Sequence, residues 1–368
     1  MTGKDFDFAL MKYGKGRWYS SPPDFMTHIL YNMRQQLTFQ LDPLKLTREP
    51  PRIYLDIADN PQVGATALLH EGEYFIAINH GTFHVLSDLF WRQLADSRIL
   101  RHVGNPDSEA MDPGDMTDYF ASFQDLTTLG HSGNYHLRQP NDPFRSDIGR
   151  VLMHCAVSFL LEHELSHILF GHLAYIANNG TAIPKLDRQT MELQADMTAT
   201  LRAGLVVYRG STTDTLFSML ANFDEVTRLA LFYYAVSTMV RVHGYQGYWE
   251  DTTGVKNHPS NPIRQNIIAN YVHTLAEKAG VTVAVEELWQ KLLLSLVETE
   301  KAYAYLTGTT LNLRPFNKKN LWRNPIHKAV HENWNPLREM LLPYTYKSVL
   351  PWDKWSTPDL WMNEPLEE

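Results

Sequence analysis

The chain contains two kinds of apolar pattern, short strand-like runs and longer segments with a period of 3.6 residues. The first kind fills three short runs at 53–58, 65–69 and 74–79, which are rich in branched and aromatic side chains. Turn residues, DNP after the first run and EG after the second, separate these runs. This pattern predicts three short β-strands.

Longer segments carry apolar side chains every three to four positions, as amphipathic helices do. The pattern begins near Thr82, and a second helix is predicted from Asp147 as its N-cap to Gly171 as its stop. Further helices are predicted over residues 190–203, 224–242, 262–279 and 283–306. The expected fold class is therefore α+β and mainly α-helical, with a small β-sheet.

Composition predicts a central domain at 51–310 between two flanking segments. Residues 1–50 are an N-terminal preamble. Residues 104–146 are polar and rich in Gly, Pro, Asn and Asp, which predicts a surface excursion with one short helix near 116–126. The Trp- and Pro-rich composition of residues 311–368 predicts an extended tail that packs on the domain through aromatic anchors. An arm that binds a partner is the alternative. The tryptophans of this tail are Trp322, Trp334, Trp352, Trp355 and Trp361.

Charge and composition narrow the class of protein. Hydrophobic residues make up 44% and charged residues 20% of the chain, which is an ordinary globular balance. A net charge of −8 without a Lys/Arg cluster argues against a nucleic-acid partner. Cys155 is the single cysteine, so it is expected as a buried apolar residue in a reducing compartment. The longest apolar stretch, 229–240, is shorter than the roughly 20 residues that span a bilayer, so we expect no membrane insertion and a cytoplasmic location.

The most informative motif is HELSH at 163–167. Residues four apart on a helix point the same way, so His163 and His167 can bind one ion. Glu164 is the next residue after His163 on the helix, so its carboxylate can reach a water molecule bound to that ion. Catalytic zinc binds neutral imidazoles and a third protein ligand, with one position left open. The sequence therefore predicts a Zn²⁺ site with Glu164 as general base.

Two acidic residues downstream complete this prediction. Glu192 and Asp196 are also four apart in a helical segment, so they share a face. Glu192 is expected as the third metal ligand, and Asp196 as the acceptor that fixes the tautomer of a ligand histidine. A solvated acidic face is the alternative. His172 is a rival ligand, but its spacing from His163 is one residue short of that in zincins with three histidine ligands.

The sequence HELSHILFGH followed by ELQAD resembles the gluzincin zinc metallopeptidases, in particular the HtpX and CAAX-prenyl endopeptidase group. The segment HPSNPIR at 258–264 is similar to the HPxxxxR segment of that group, and residues 53–83 resemble the strands before its active-site helix. The resemblance implies a zincin-like domain with a small sheet beside the active-site helix, and hydrolysis of peptide bonds.

The resemblance also implies roles for residues outside the metal motifs. His258 would stabilise the tetrahedral oxyanion, and Arg264 would brace the site. An edge strand would bind extended substrate by strand addition, through Gly64, Ala65, Thr66 and Ala67. The chain departs from the family here, because Gly64-Ala65 stands where the family has Asn-Ala, and the polar excursion separates the strands from the metal helix.

A gluzincin-like chain without membrane spans also resembles the phage-exclusion peptidase group of Lit, which cleaves a cytosolic host protein during infection. We therefore expect a cytoplasmic zinc endopeptidase that acts on a protein or peptide substrate, with a role in phage exclusion or a regulated cytotoxic response. The alternative is a catalytically silent zincin-fold scaffold or sensor that binds a protein partner.

Overall fold

The computed structural model describes residues 3–11, 24–42, 46–60, 62–110, 138–210, 216–243, 259–307 and 325–346, with the single residues 16, 310, 311 and 313. Within these ranges the strands are β1 (Ile53–Ala58), β2 (Ala65–His70) and β3 (Glu73–Asn79). The helices are α1 (Gly3–Met11), α2 (Asp24–Gln40), α3 (His80–Leu94), α4 (Pro143–Leu169), α5 (His172–Asn179), α6 (Lys185–Gly210), α7 (Glu225–His243), α8 (Asn261–Ala279), α9 (Val285–Thr307) and α10 (Pro325–Leu341).

This architecture confirms the prediction of a mainly helical chain with a small sheet. The helices predicted after residue 180 are all present, and α6 extends beyond the predicted range at both ends. None of the helices in the described part of the chain is long and apolar enough to cross a membrane.

The sheet has the strand order β1-β3-β2, with β1 parallel and β2 antiparallel to the central β3. Along β3, Ile76 and Ile78 face the main helical core, whereas Phe75 and Ala77 pack against Phe6 of α1. Successive side chains of a strand point to opposite faces of the sheet, so the continuous apolar run of β3 is buried on both faces. The sheet is thereby held between α1 and the main core, and β2 is left at one edge.

Helix α4 begins before Asp147, so the prediction of Asp147 as its N-cap was wrong. Asp142 is the cap, because its side chain accepts a 2.9 Å hydrogen bond from the N–H of Phe144. Pro143 occupies the first helical position, where its missing N–H costs nothing. Asp147 lies inside the helix and forms a 3.0 Å ion pair with Arg150.

Gly171 ends α4 as predicted, because it adopts a left-handed conformation with φ of +78° after the helix stops at Leu169. A Cβ atom at this position would lie 2.6 Å from the backbone of Tyr344, so the site requires glycine. The N–H of Tyr346 donates to the carbonyl of Leu169 at 2.8 Å and covers the end of the helix. The chain then turns directly into α5, which begins at His172.

The first fifty residues, expected as a preamble, contribute to the main core. Helix α2 buries Met26, Ile29 and Met33 in that core. Its Gln36 donates a 2.7 Å hydrogen bond to the carboxylate of Glu162, which has no exposed surface and directly precedes His163 in α4. The preamble therefore supports the helix that carries the HELSH motif.

The C-terminal segment differs from the expected extended tail because residues 325–341 form helix α10. Trp334 is buried, as expected of an aromatic anchor, and Leu337 packs in one cluster with Met191 of α6. The other four tryptophans of the segment lie outside the described residues, as does the short helix predicted near 116–126. At the base of the polar excursion, Glu109 accepts backbone hydrogen bonds from Asn141 and Asp142 at 2.9 and 2.8 Å.

Arg145, fully buried in the first turn of α4, anchors the chain that follows α3. Its guanidinium donates hydrogen bonds of 2.6–3.2 Å to the backbone carbonyls of Leu94, Asp96, Ile99, Leu100 and Val103. A buried charge is tolerated when its donors are satisfied in this way. One side chain therefore holds an irregular segment against α4.

Replacing Arg145 with methionine should lower the free energy of unfolding by about 3 kcal/mol or more, because buried carbonyl groups lose their donor. Chemical denaturation measures this loss. Arg150→Met is the matched control, since Arg150 is exposed in the same helix and should change stability by about 0.5 kcal/mol or less. Equal losses in the two variants would contradict the anchoring role.

Candidate metal centre

The two motifs predicted to bind metal meet where α4 packs against α6. The Nε2 atoms of His163 and His167 lie 3.2 Å apart. The carboxylate oxygens of Glu192 lie 3.3 Å from His163 Nε2 and 3.7 Å from His167 Nε2. Both histidines are buried and Glu192 is largely buried, and the three lie close enough to hold one metal ion.

Asp196, one turn after Glu192 on α6, lies behind His163. Its Oδ1 is 2.8 Å from His163 Nδ1, the ring nitrogen that faces away from Glu192. It also accepts two hydrogen bonds of 2.7 Å from the Nε and Nη2 atoms of Arg264. Burial raises the pKa of the Asp196 carboxyl, but the charges of Arg264 and His163 outweigh it and hold this pKa at about 2. Asp196 is therefore an ionised carboxylate in a fully buried position.

The acidic neighbours of His163 control its protonation. Burial lowers the pKa of His163, but the contacts with Asp196 and Glu192 outweigh it and raise this pKa to about 10. A metal ion that binds His163 Nε2 has to displace the proton held there. Metal binding by this group is therefore coupled to pH.

His172 does not belong to the group that can hold a metal ion, but it orients one member of that group, His167. Its Nδ1 lies 2.9 Å from His167 Nδ1, and its Nε2 lies 2.7 Å from the side-chain oxygen of Gln194. Burial lowers the pKa of His172 to about 4, so the ring is neutral at pH 7. Since Gln194 accepts the Nε2–H, His172 Nδ1 can accept a hydrogen bond from His167. His167 Nε2 then carries its lone pair toward Glu192, as a metal ligand must.

Sequence reasoning missed the role of His172 and of Gln194. The position of His172 could have been predicted from the Gly171 stop. A chain that reverses at the end of a helix places its next residue beside the last helical turn, which here contains His167. The sequence does not indicate a role for Gln194 in the site, because helical periodicity places it about 200° round α6 from Glu192. Its importance depends on where α5 packs, which the sequence pattern does not give.

Glu164 lies between the metal-binding group and the edge of the sheet. Its Oε2 accepts a 2.7 Å hydrogen bond from the N–H of Ala67. On the other side of β2, the Gly64 carbonyl accepts from the N–H of Asn79 in β3 at 3.0 Å. Because an antiparallel ladder alternates, the backbone groups of Ala65 and Ala67 point to the outer edge of the sheet, toward α4.

A cavity of about 320 Å³ opens beside these groups. Its lining includes His163, His167, Glu192, Glu164, Arg264, Ala65, Thr66 and Ala67. Gly64, also expected to bind substrate, instead contacts Thr82 through its N–H and carbonyl at 2.9 and 2.8 Å. His258 lies outside the described residues, so its expected role stays a prediction.

Comparison of the chain with protein-family models, curated proteins and solved structures found no match. What the site can do is therefore inferred from its own geometry and from the motifs it contains. In the described part of the chain, His163, His167 and Glu192 are the one group of His, Cys, Asp and Glu side chains arranged to hold a metal ion.

Replacing His172 with phenylalanine should keep the buried ring but remove the acceptor for His167 Nδ1–H. We expect metal affinity to fall about 10- to 100-fold, because outer hydrogen bonds to ligand histidines contribute this much. Competition titration with Zn²⁺ and a chromophoric chelator measures it. His154→Phe is the control, since His154 is buried in α4 against Phe217. Equal zinc affinity of the wild type and His172→Phe would contradict the orienting role of His172.

Proposed function

We propose that the chain is a zinc-dependent endopeptidase of the gluzincin type. The observation that carries this proposal is the spacing of the three donor groups, at 3.2, 3.3 and 3.7 Å. A tetrahedral zinc ion with bonds of about 2.0–2.1 Å separates its ligand atoms by roughly 3.3 Å. Two imidazoles and one carboxylate are also a donor set of catalytic zinc sites, in which one position remains for water or substrate.

Bound zinc supplies a Lewis acid that polarises a carbonyl group and lowers the pKa of a water molecule to about 7. Glu164 lines the same cavity as the three donors and is fixed by the N–H of Ala67. In the proposed reaction its carboxylate takes a proton from the attacking water and gives it to the leaving amine. Asp196 and His172 act indirectly, by holding the ligand histidines in the required orientation.

The edge strand supports a peptide as the substrate. The backbone groups of Ala65 and Ala67 face the cavity side of β2. An extended peptide can add to the sheet there through main-chain hydrogen bonds to Ala65 and to the carbonyl of Ala67, whose N–H is bound by Glu164. Such a peptide would run past Glu164 and the metal-binding group. The resemblance to the gluzincins adds His258 as a proposed oxyanion donor and a cytosolic protein as the proposed substrate.

A catalytically silent scaffold or sensor is the alternative function. Such a protein needs metal ligands for stability, but it needs neither a carboxylate at the general-base position nor a cavity beside the metal. Glu164 and the cavity lined by Ala65 and Ala67 therefore favour the enzyme.

The variant Glu164→Gln should retain zinc and lose peptidase activity by about 10²- to 10⁴-fold, because the amide cannot accept the proton. Zinc content and cleavage of a mixed peptide library are measured on the same preparation. Glu287→Gln, at an exposed position of α9, should leave both unchanged. Undiminished cleavage by Glu164→Gln would remove Glu164 from the mechanism.

A further inference from the structure

One cationic side chain lines the cavity without a part in the chemistry proposed above. Arg188 is on α6, four positions before Glu192, so the two side chains leave the same face of the helix. Residues with this spacing have Cβ atoms about 5–6 Å apart. Arg188 is therefore one helical turn from the metal-binding group, on the side where α5 lies.

Within the described part of the chain, no carboxylate compensates the charge of Arg188 in the way that Asp196 compensates that of Arg264. Arg264 is bound by Asp196 through two hydrogen bonds of 2.7 Å. Arg188 has no acidic partner within ion-pair distance among the described residues, and its guanidinium donates a long hydrogen bond of 3.4 Å to the carbonyl of Gly180. An anionic group that enters the cavity would find this guanidinium available.

Apolar side chains line the cavity together with Arg188. Leu173 and Ile176 of α5 and Met191 of α6 line the same cavity, and α5 packs against β2. Arg188 itself is partly exposed, and its hydrogen bond to Gly180 lies at the surface. Its guanidinium can form a charge-assisted bidentate bond with a carboxylate, which is the strongest kind of hydrogen-bonded pair that an arginine makes. The apolar lining offers an aliphatic side chain a place to bind.

We propose that Arg188 is a specificity-determining residue, which binds a substrate carboxylate next to the scissile bond while Leu173, Ile176 and Met191 accept an aliphatic side chain. This inference rests on the proposed peptidase function. One residue of extended chain spans about 3.3–3.6 Å, so the carboxylate belongs to the first or second residue from the bond that is cleaved. It comes either from an acidic side chain or from a free C-terminus.

Binding of small metal-directed probes tests this proposal without requiring turnover. The probes carry a malonyl hydroxamate, which chelates zinc, on three dipeptides: leucyl-glutamine amide, leucyl-glutamate amide and a leucyl-glutamine with a free terminal carboxylate. The first is neutral, the second has a side-chain carboxylate and the third a terminal one. A fourth probe, with leucyl-lysine amide, is used only for the charge-reversal variant. Calorimetry gives the Kd of each probe for the zinc-loaded protein.

We expect one of the two carboxylate probes to bind the wild type at least about tenfold more tightly than the neutral probe, because the bond to Arg188 is charge-assisted. Which one it is identifies the source of the carboxylate. Arg188→Ala should bind all three probes alike. Arg188→Glu should reverse the preference and favour a leucyl-lysine amide probe, whereas Arg209→Glu, at an exposed position of the same helix, should keep the wild-type order.

Equal binding of the three probes by the wild type would overturn the role of Arg188 and leave the metallopeptidase proposal intact. A preference that persists in Arg188→Ala, together with a lower thermal unfolding temperature, would mean that Arg188 only caps α5 at Gly180. Failure of the zinc-loaded wild type to bind any of the hydroxamates would contradict the metallopeptidase proposal and this inference with it.

Discussion

Asp196 is a fully buried carboxylate that stays ionised because His163 and Arg264 both contact it. A buried charge is tolerated only when its partners are in place, and loss of one partner costs about 3–5 kcal/mol. Because Asp196, His163 and Arg264 come from α6, α4 and α8, their contacts hold these three helices in position relative to one another. Glu192, one turn earlier on α6, is thereby brought to the two histidines of α4. The metal-binding group depends on this one interaction.

A second buried carboxylate also stabilises the packing of α4. Glu162, directly before His163, accepts a hydrogen bond from Gln36 of α2 and lies 3.6 Å from the guanidinium of Arg202 on α6. Two buried acidic side chains thus join the helix of the HELSH motif to α2, α6 and α8. The arrangement gives rigid support to ligands that have to keep their geometry as a substrate enters.

Local patterns in the sequence predicted the elements of the site well, because they depend on period and spacing. The strands, the Gly171 stop and the spacing of His163 with His167 are of this kind. What the sequence could not give depends on the packing of segments far apart in the chain. The contact of Ala67 with Glu164, the hydrogen bonds of His172 and the burial of α2 all require the folded arrangement. The start of α4 was misplaced because Asp142 and Asp147 are both acceptable caps, and Pro143 decides between them.

The most direct test of the proposed metal centre is the metal content of the protein, purified without metal-affinity tags and measured by elemental analysis. We expect about one zinc per chain in the wild type and its loss in Glu192→Ala, since a catalytic site has three protein ligands. Absence of zinc from the wild type would contradict the metal centre. Zinc retained in full by Glu192→Ala would show that Glu192 is not the third ligand.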